Sequence, residues 1–147
     1  MNKQEFSDVL FGADPKKREK WFELLKDPVF IPRWNRSLQE VRDDAFKRLQ
    51  KVMESKIVSV LDFVNDPTNI YIAHDFMGIV EPSAGTKMTV QLNLFGGSIL
   101  ALHTDRHKYL FPKIDDLSIV VCFCLTELGY GNNAVKMETT VTYDEKT

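Results

Sequence analysis

Thr126, Gly129, Gly131 and Asn132 fall close together in the run Thr126-Glu127-Leu128-Gly129-Tyr130-Gly131-Asn132-Asn133. An apolar stretch ends in a hydroxyl, and glycines then let the main chain approach whatever sits above its end. N–H groups exposed in such a turn suit the oxygens and ring nitrogens of a flat heterocycle, or a phosphate. Two glycines at i, i+2 serve equally well in a hairpin that needs only turn geometry. On residue types alone, both readings stand.

Other chemistry-bearing residues are fewer. Cys122 and Cys124 are the only cysteines, and at i, i+2 on an apolar strand they point to one face. They read as buried small hydrophobes of a reducing compartment, with neither a disulfide nor a metal pair expected. His74, His103 and His107 lack a metal-ligand spacing with a third ligand, so packing, capping or surface roles are expected and no metal site is assigned. Lys16, Lys17, Arg18 and Lys20 read as a solvated helix face, with phosphates as the alternative partner.

The elements that position the glycine turn are mostly helical. Asp14-Pro15 and Asp66-Pro67 each place a capping acid before a proline at the first helical position. Trp21, Leu24 and Leu25 give one helix an apolar face before Asp27-Pro28 stops it. Ser37-Leu38-Gln39-Glu40 is a capping box, and Leu38, Val41, Ala45, Leu49 and Val52 form the stripe behind it. Residues 67–80 and roughly 84–103 predict two further helices, and Thr104-Asp105 a short one ending near Pro112. Phe95-Gly96-Gly97 interrupts the second of these, where another helix or an apolar chain comes close. The proline-punctuated loop Asp27–Pro32 reads as an extended arm too apolar to be a free linker.

After Asp116 the period changes. Ile119 to Leu125 is a short apolar run weighted toward β-branched residues, which predicts a strand. Glu138 to Tyr143 resumes extended character beyond the glycines. Two strands alone do not make a stable sheet. The expectation is therefore a helical domain of a longer protein, cut just inside a second, β domain.

Bulk properties agree with a folded chain. At 147 residues it has room for one core, and 44% hydrophobic with 27% charged residues excludes a disordered polar chain. The net charge of −2 divides into +3 over residues 1–60 and −5 over 61–147, too weak a basic field to argue for nucleic acid. Gln91, Asn93 and the Gly96-Gly97 pair break the best candidate for a membrane span, and the N-terminus lacks a signal-peptide layout. A soluble intracellular protein is expected.

Two blocks carry a resemblance to a known family. Thr126-Glu127-Leu128-Gly129-Tyr130-Gly131, and then Met137-Glu138-Thr139-Thr140-Val141-Thr142-Tyr143-Asp144, resemble the flavin-facing segment of acyl-CoA oxidases, with matching spacing between them. The oxidase form is Thr-Glu-Met-Gly-His-Gly followed by Leu-Glu-Thr-Thr-Ala-Thr-Tyr-Asp. The related dehydrogenases carry Thr-Glu-Pro-Gly-Ala-Gly-Ser-Asp. Leu102 to Pro112 is similar to the family's connection Gly-Thr-x-x-(Gln/His)-Lys-x-x-Leu-Pro, with His103 where glycine is usual. Residues 14–30 resemble the oxidases' N-terminal arm.

The resemblance implies a mainly α fold. An N-terminal helical domain covers 1–116, with an oxidase-type arm over about 1–35, and a truncated β-barrel domain starts at 117–147. It implies FAD as cofactor, with Thr126 offering its hydroxyl to the ring and Phe123, Leu125, Gly129 and Gly131 lining it. Asn132 stands where dehydrogenases have a serine near the acyl-CoA thioester, which makes it the substrate-side candidate. Fatty acyl-CoA and oxygen are the implied substrates, a homodimer the implied assembly and the peroxisome the implied compartment. The family's glutamate base lies in a later domain, so no catalytic residue is assigned, and this chain alone is expected to be inactive. Alternatives are a dehydrogenase with a protein electron acceptor and a non-catalytic helical interaction module.

Overall fold

Acid-proline steps open three of the principal helices. The computed structural model describes residues 2–12 and 14–145. Its helices are α1 (Lys3–Phe11), α2 (Pro15–Leu24), α3 (Leu38–Glu54), α4 (Asp62–Asn65), α5 (Pro67–Val80), α6 (Pro82–Met88), α7 (Gly97–Leu102) and α8 (Leu110–Asp115). Thr89–Gly96 winds as a π-helix between α6 and α7. Asp14, Asp66 and Glu81 each take an extended φ, between −140° and −155°, before the proline of α2, α5 or α6. Proline forbids the helical conformation to its predecessor and loses nothing at the first helical position.

Those acids do not cap through their side chains, contrary to the sequence reading for Asp14 and Asp66. Both instead bind the ammonium of Lys17, at 2.8 Å for Asp14 and 2.5 Å for Asp66. One lysine thus ties the starts of α2 and α5. Arg18 donates to Phe11 O (3.0 Å) and Asp75 (2.9 Å), so two of the four basic residues read as a solvated face are structural. A charge occupied by a tertiary partner looks no different in sequence from a solvated one.

The capping box forms as read. Glu40 N–H donates to Ser37 Oγ (3.3 Å) and Ser37 N–H donates to Glu40 Oε2 (2.8 Å). Behind it Ala45, Leu49, Val52 and Met53 are buried, whereas Leu38 and Val41 at the head of the stripe are exposed. The apolar stripe gives way to a buried charge. Arg48, 7% exposed, donates to Val29 O (2.8 Å) and Ile31 O (3.1 Å) and makes a very close ion pair with Glu81. Its guanidinium holds the loop before α3 and the α5–α6 junction together. Lys51 adds a pair with Asp27 at 2.7 Å. The loop read as an extended arm is accordingly a 3-10 turn over Pro28–Phe30, with Phe30 in the core.

Trp21 of α2 stacks on Phe76 of α5 at 5.7 Å, and Phe22 meets the same ring edge-on at 4.9 Å. Helix α3 packs against α6. The segment predicted as one helix over 84–103 is continuous but wound differently in its middle. Five residues advance an α-helix by about 500°, which leaves positions 91 and 96 on different faces. In the wider π winding both reach Ile114 of α8: Gln91 Nε2 donates to its carbonyl, and a Cβ built on Gly96 lies 3.6 Å from its Cγ2. The same Cβ would sit 2.7 Å from Val60 Cγ2. The close approach at Gly96 is therefore to side chains of this chain.

Among the described residues there is no strand. The runs predicted as strands, 119–125 and 138–143, pair with no neighbour, and the one bridge outside a sheet joins Glu127 to Gly131. Without a third strand or a packed face, two short runs do not hold a ladder. Cys122 and Cys124 are exposed, a correction to their reading as buried. No helix among the described residues is long and apolar enough to cross a membrane.

Candidate functional site

One buried amide sets where the C-terminal segment leaves the helices. Gln91, 2% exposed, donates Nε2 to Ile114 O (3.0 Å) and Ile119 O (2.7 Å), and its Oε1 accepts from Val121 N–H (3.3 Å). Leu117 turns the chain with a positive φ of 57°, and Ile119 N–H returns to Lys113 O at 3.2 Å. Beyond Val121, residues 122–126 make no backbone hydrogen bond among the described residues. Phe46, Leu49, Val90, Gln91, Val121 and Phe123 line a groove of about 390 Å³ between this segment and the helices.

The turn itself is small and closed. Glu127 N–H donates to Gly131 O (2.9 Å) and Gly131 N–H donates to Glu127 O (2.7 Å). Gly131 has φ 58°, a left-handed conformation in which a side chain is strained. Gly129 has no such requirement, and no atom lies within 4 Å of where its Cβ would stand.

Glu127 joins the two motif blocks. Its carboxylate accepts from Glu138 N–H (2.8 Å), from Thr139 N–H (2.7 Å) and, at very close range, from the Thr139 hydroxyl. Tyr130 Oη donates to Glu138 Oε1 at 2.9 Å. The Thr139 hydroxyl, with the two N–H groups, holds the Glu127 carboxyl below the usual glutamate range. A carboxylate accepting several donors closes the loop without a strand ladder. The sequence reading missed this residue. Its only signal was an acid beside the turn, eleven and twelve positions before Glu138 and Thr139.

The structure places the sequence candidates as follows. Phe123 is 40% exposed beside the groove, and Leu125 is half-buried. Thr126, Gly129, Gly131 and Asn132 are exposed on and around the turn. Among the described residues the Thr126 hydroxyl has no hydrogen-bond partner, and it is exposed to an incoming group. The histidines take structural places: His74 Nδ1 donates to Ile70 O (2.8 Å), His103 Nδ1 donates to Leu100 O (2.8 Å), and His107 Nδ1 accepts from Thr104 N–H (3.0 Å). No group of three or more His, Cys, Asp or Glu residues suited to a metal ion occurs among the described residues.

Comparison with known proteins gives relatives of one kind. The chain is similar to the acyl-coenzyme A oxidase acox-3 of Caenorhabditis elegans, 30% identical over 129 residues, 87% of this chain and 19% of that protein. It is similar to the peroxisomal acyl-coenzyme A oxidase 3 of Homo sapiens, 30% identical over 126 residues, 84% of this chain and 18% of that protein. Against acyl-coenzyme A oxidase 2 of Candida tropicalis it is 36% identical over 153 residues, 98% of this chain and 20% of that protein. No family model matches the chain, and no solved structure does so significantly. The chain is thus a homologue of the acyl-CoA oxidases over most of its length. It spans about a fifth of the length of the curated relatives it matches.

Proposed function

We propose that this chain is the N-terminal part of an FAD-dependent acyl-CoA oxidase, with its helical domain over 1–116 and the start of a β domain at 117–147. The reading rests on the relatives' names and on one observation. Glu127 gathers the two motif blocks into a single clasped turn that leaves the Thr126 hydroxyl exposed. Relatives in human and Arabidopsis are named peroxisomal, and we place this protein in the same compartment.

The residues present fit a flavin. Among the described residues, their immediate chain neighbours aside, no atom comes within 4 Å of a Cβ position at Gly129 or Gly131, so the turn is open to a flat ring. Thr126 offers its hydroxyl to that ring, and Phe123, Leu125 and the backbone at Gly129 and Gly131 line it. Asn132 reaches toward the acyl-CoA. When bound, FAD supplies the acceptor for a hydride from the acyl β-carbon and passes the electrons to oxygen, giving the enoyl-CoA and hydrogen peroxide. This chain's part is to bind and orient. The base that takes the α-proton is assigned to none of its residues.

The coding sequence downstream of Thr147 tests the reading. A continuing β domain, and a helical domain carrying a glutamate base, support it. An immediate stop codon favours a helical interaction module instead. The 147-residue chain alone is expected neither to retain FAD nor to release peroxide from palmitoyl-CoA; stoichiometric yellow flavin on the purified chain overturns that division of the site. In the whole protein, stopped-flow reoxidation by oxygen separates an oxidase from a dehydrogenase that uses a protein acceptor.

A further inference from the structure

Cys122 and Cys124 are the only two cysteines of the chain, both are exposed, and their Sγ atoms lie 3.8 Å apart. Cys124 donates its S–H toward Cys122 Sγ. A disulfide needs an S–S distance of about 2.05 Å. Closing the gap requires only a local bend, because residues 122–126 hold no backbone hydrogen bond that the bend would break. The flanks are fixed on either side: Val121 N–H by Gln91, and Glu127 by its bridge to Gly131. The two sulfurs are therefore kept within reach of each other by anchored ends around a pliable centre.

We propose that Cys122 and Cys124 are a modification site, a dithiol that a hydroperoxide converts to an intrachain disulfide. The geometry also assigns the roles. Cys122 Sγ accepts the hydrogen bond, and Cys124 carries the proton between the two sulfurs. The hydrogen bond and charge interaction with Cys122 push the Cys124 thiol up, which keeps its proton in place. Cys122 thiolate attacks the peroxide; an S–O bond forms, the O–O bond breaks, and hydroxide leaves to become water. Cys124 sulfur then displaces the sulfenic hydroxyl. The S–S bond forms, the S–O bond breaks, and the Cys124 proton departs in a second water. The dithiol loses two electrons and hydrogen peroxide gains them. Phe123 lies inside the ring that closes, so its seat along the groove changes with oxidation state.

The test treats the reduced 147-residue chain with equimolar hydrogen peroxide, followed by alkylation and intact-mass measurement. The expected product is a monomer lighter by two hydrogens, with both thiols lost to the alkylating reagent and regained on reduction. Cys124→Ser is expected to stop at a Cys122 sulfenic acid that dimedone traps, and Cys122→Ser to react several-fold more slowly. Oxygen addition without hydrogen loss, disulfide-linked dimers as the main product, or thiols left unreacted each overturn the proposal. Equal rates for the two serine variants overturn the assignment of the attacking sulfur. The peroxide is supplied from outside, so these outcomes are independent of the oxidase reading.

Discussion

Glu127 and Thr139 stand twelve residues apart, yet one carboxylate oxygen of Glu127 takes both the N–H and the hydroxyl of Thr139. This pair does for the turn what a strand ladder does in a sheet. Because its carboxyl is held below the usual range, Glu127 contributes stability above the unfolded glutamate value and loses it as pH falls through the lower folded value. The Thr139 amide is expected to lose its hydrogen-exchange protection in that acid window. Glu127→Gln is expected to lower the protection already at neutral pH. A Thr139 amide indifferent to both changes contradicts the clasp.

Arg48 and Glu81 make the heaviest demand on the fold. Arg48→Met leaves Glu81 without its ion-pair partner and two carbonyls without donors, a change that costs about 3–5 kcal/mol when a buried pair is broken. Changing Arg48→Met and Glu81→Leu together is expected to recover part of that loss, since two apolar side chains replace two buried charges. Urea unfolding of the two variants beside the unaltered chain measures it, and a double variant weaker than Arg48→Met alone rules the account out.

Gln91→Leu tests whether the helices place the C-terminal segment. It keeps the volume but orphans Ile114 O, Ile119 O and Val121 N–H, each worth about 1–3 kcal/mol if left dry and unpaired. Water reaching the partly exposed segment offsets some of this. The expected signature is faster exchange at the Val121 amide together with a lower denaturation midpoint, while α2 and α5 keep their protection.

The three glycines of interest are separable. Gly96→Ala drives a methyl to 2.7 Å from Val60 Cγ2, an overpacking that costs about 1–3 kcal/mol; adding Val60→Ala is expected to relieve it. Gly131→Ala must hold φ 58° and costs about 1–2 kcal/mol through the left-handed conformation. Gly129→Ala meets open space and is expected to leave the chain's stability unchanged. Thermal melts of the three single variants and the Gly96–Val60 double variant read the order directly. If Gly129→Ala also weakens flavin content in the whole protein, its cost belongs to binding rather than folding.

Local signals were legible in sequence, and relations between distant residues were not. Pro67 and Glu81-Pro82 bracket α5 over Pro67–Val80, the bounds expected, because proline punctuation is a steric rule acting on adjacent residues. Ser37 and Glu40 were readable for the same reason. Arg48 was not, since a charge on an amphipathic helix reads as solvated until the loop carbonyls and Glu81 are seen around it. Cys122 and Cys124 lie in an apolar run that the described residues cover only in part, so hydrophobicity suggested burial where both are exposed. The turn's glycines were found; the carboxylate that makes the turn a unit was overlooked, because its partners lie beyond the loop.

The π winding at Thr89–Gly96 makes chain length itself a structural parameter. Across five residues, Gln91 and Gly96 meet Ile114 together only while the wide turn persists. Deleting one residue between them and returning the segment to α winding leaves a four-residue step of about 400°, which again puts both on one face. Substitutions are judged there one side chain at a time, whereas a one-residue deletion is absorbed by a change of winding. A relative one residue shorter between these positions is therefore expected to keep the same contact with α8 through plain α winding.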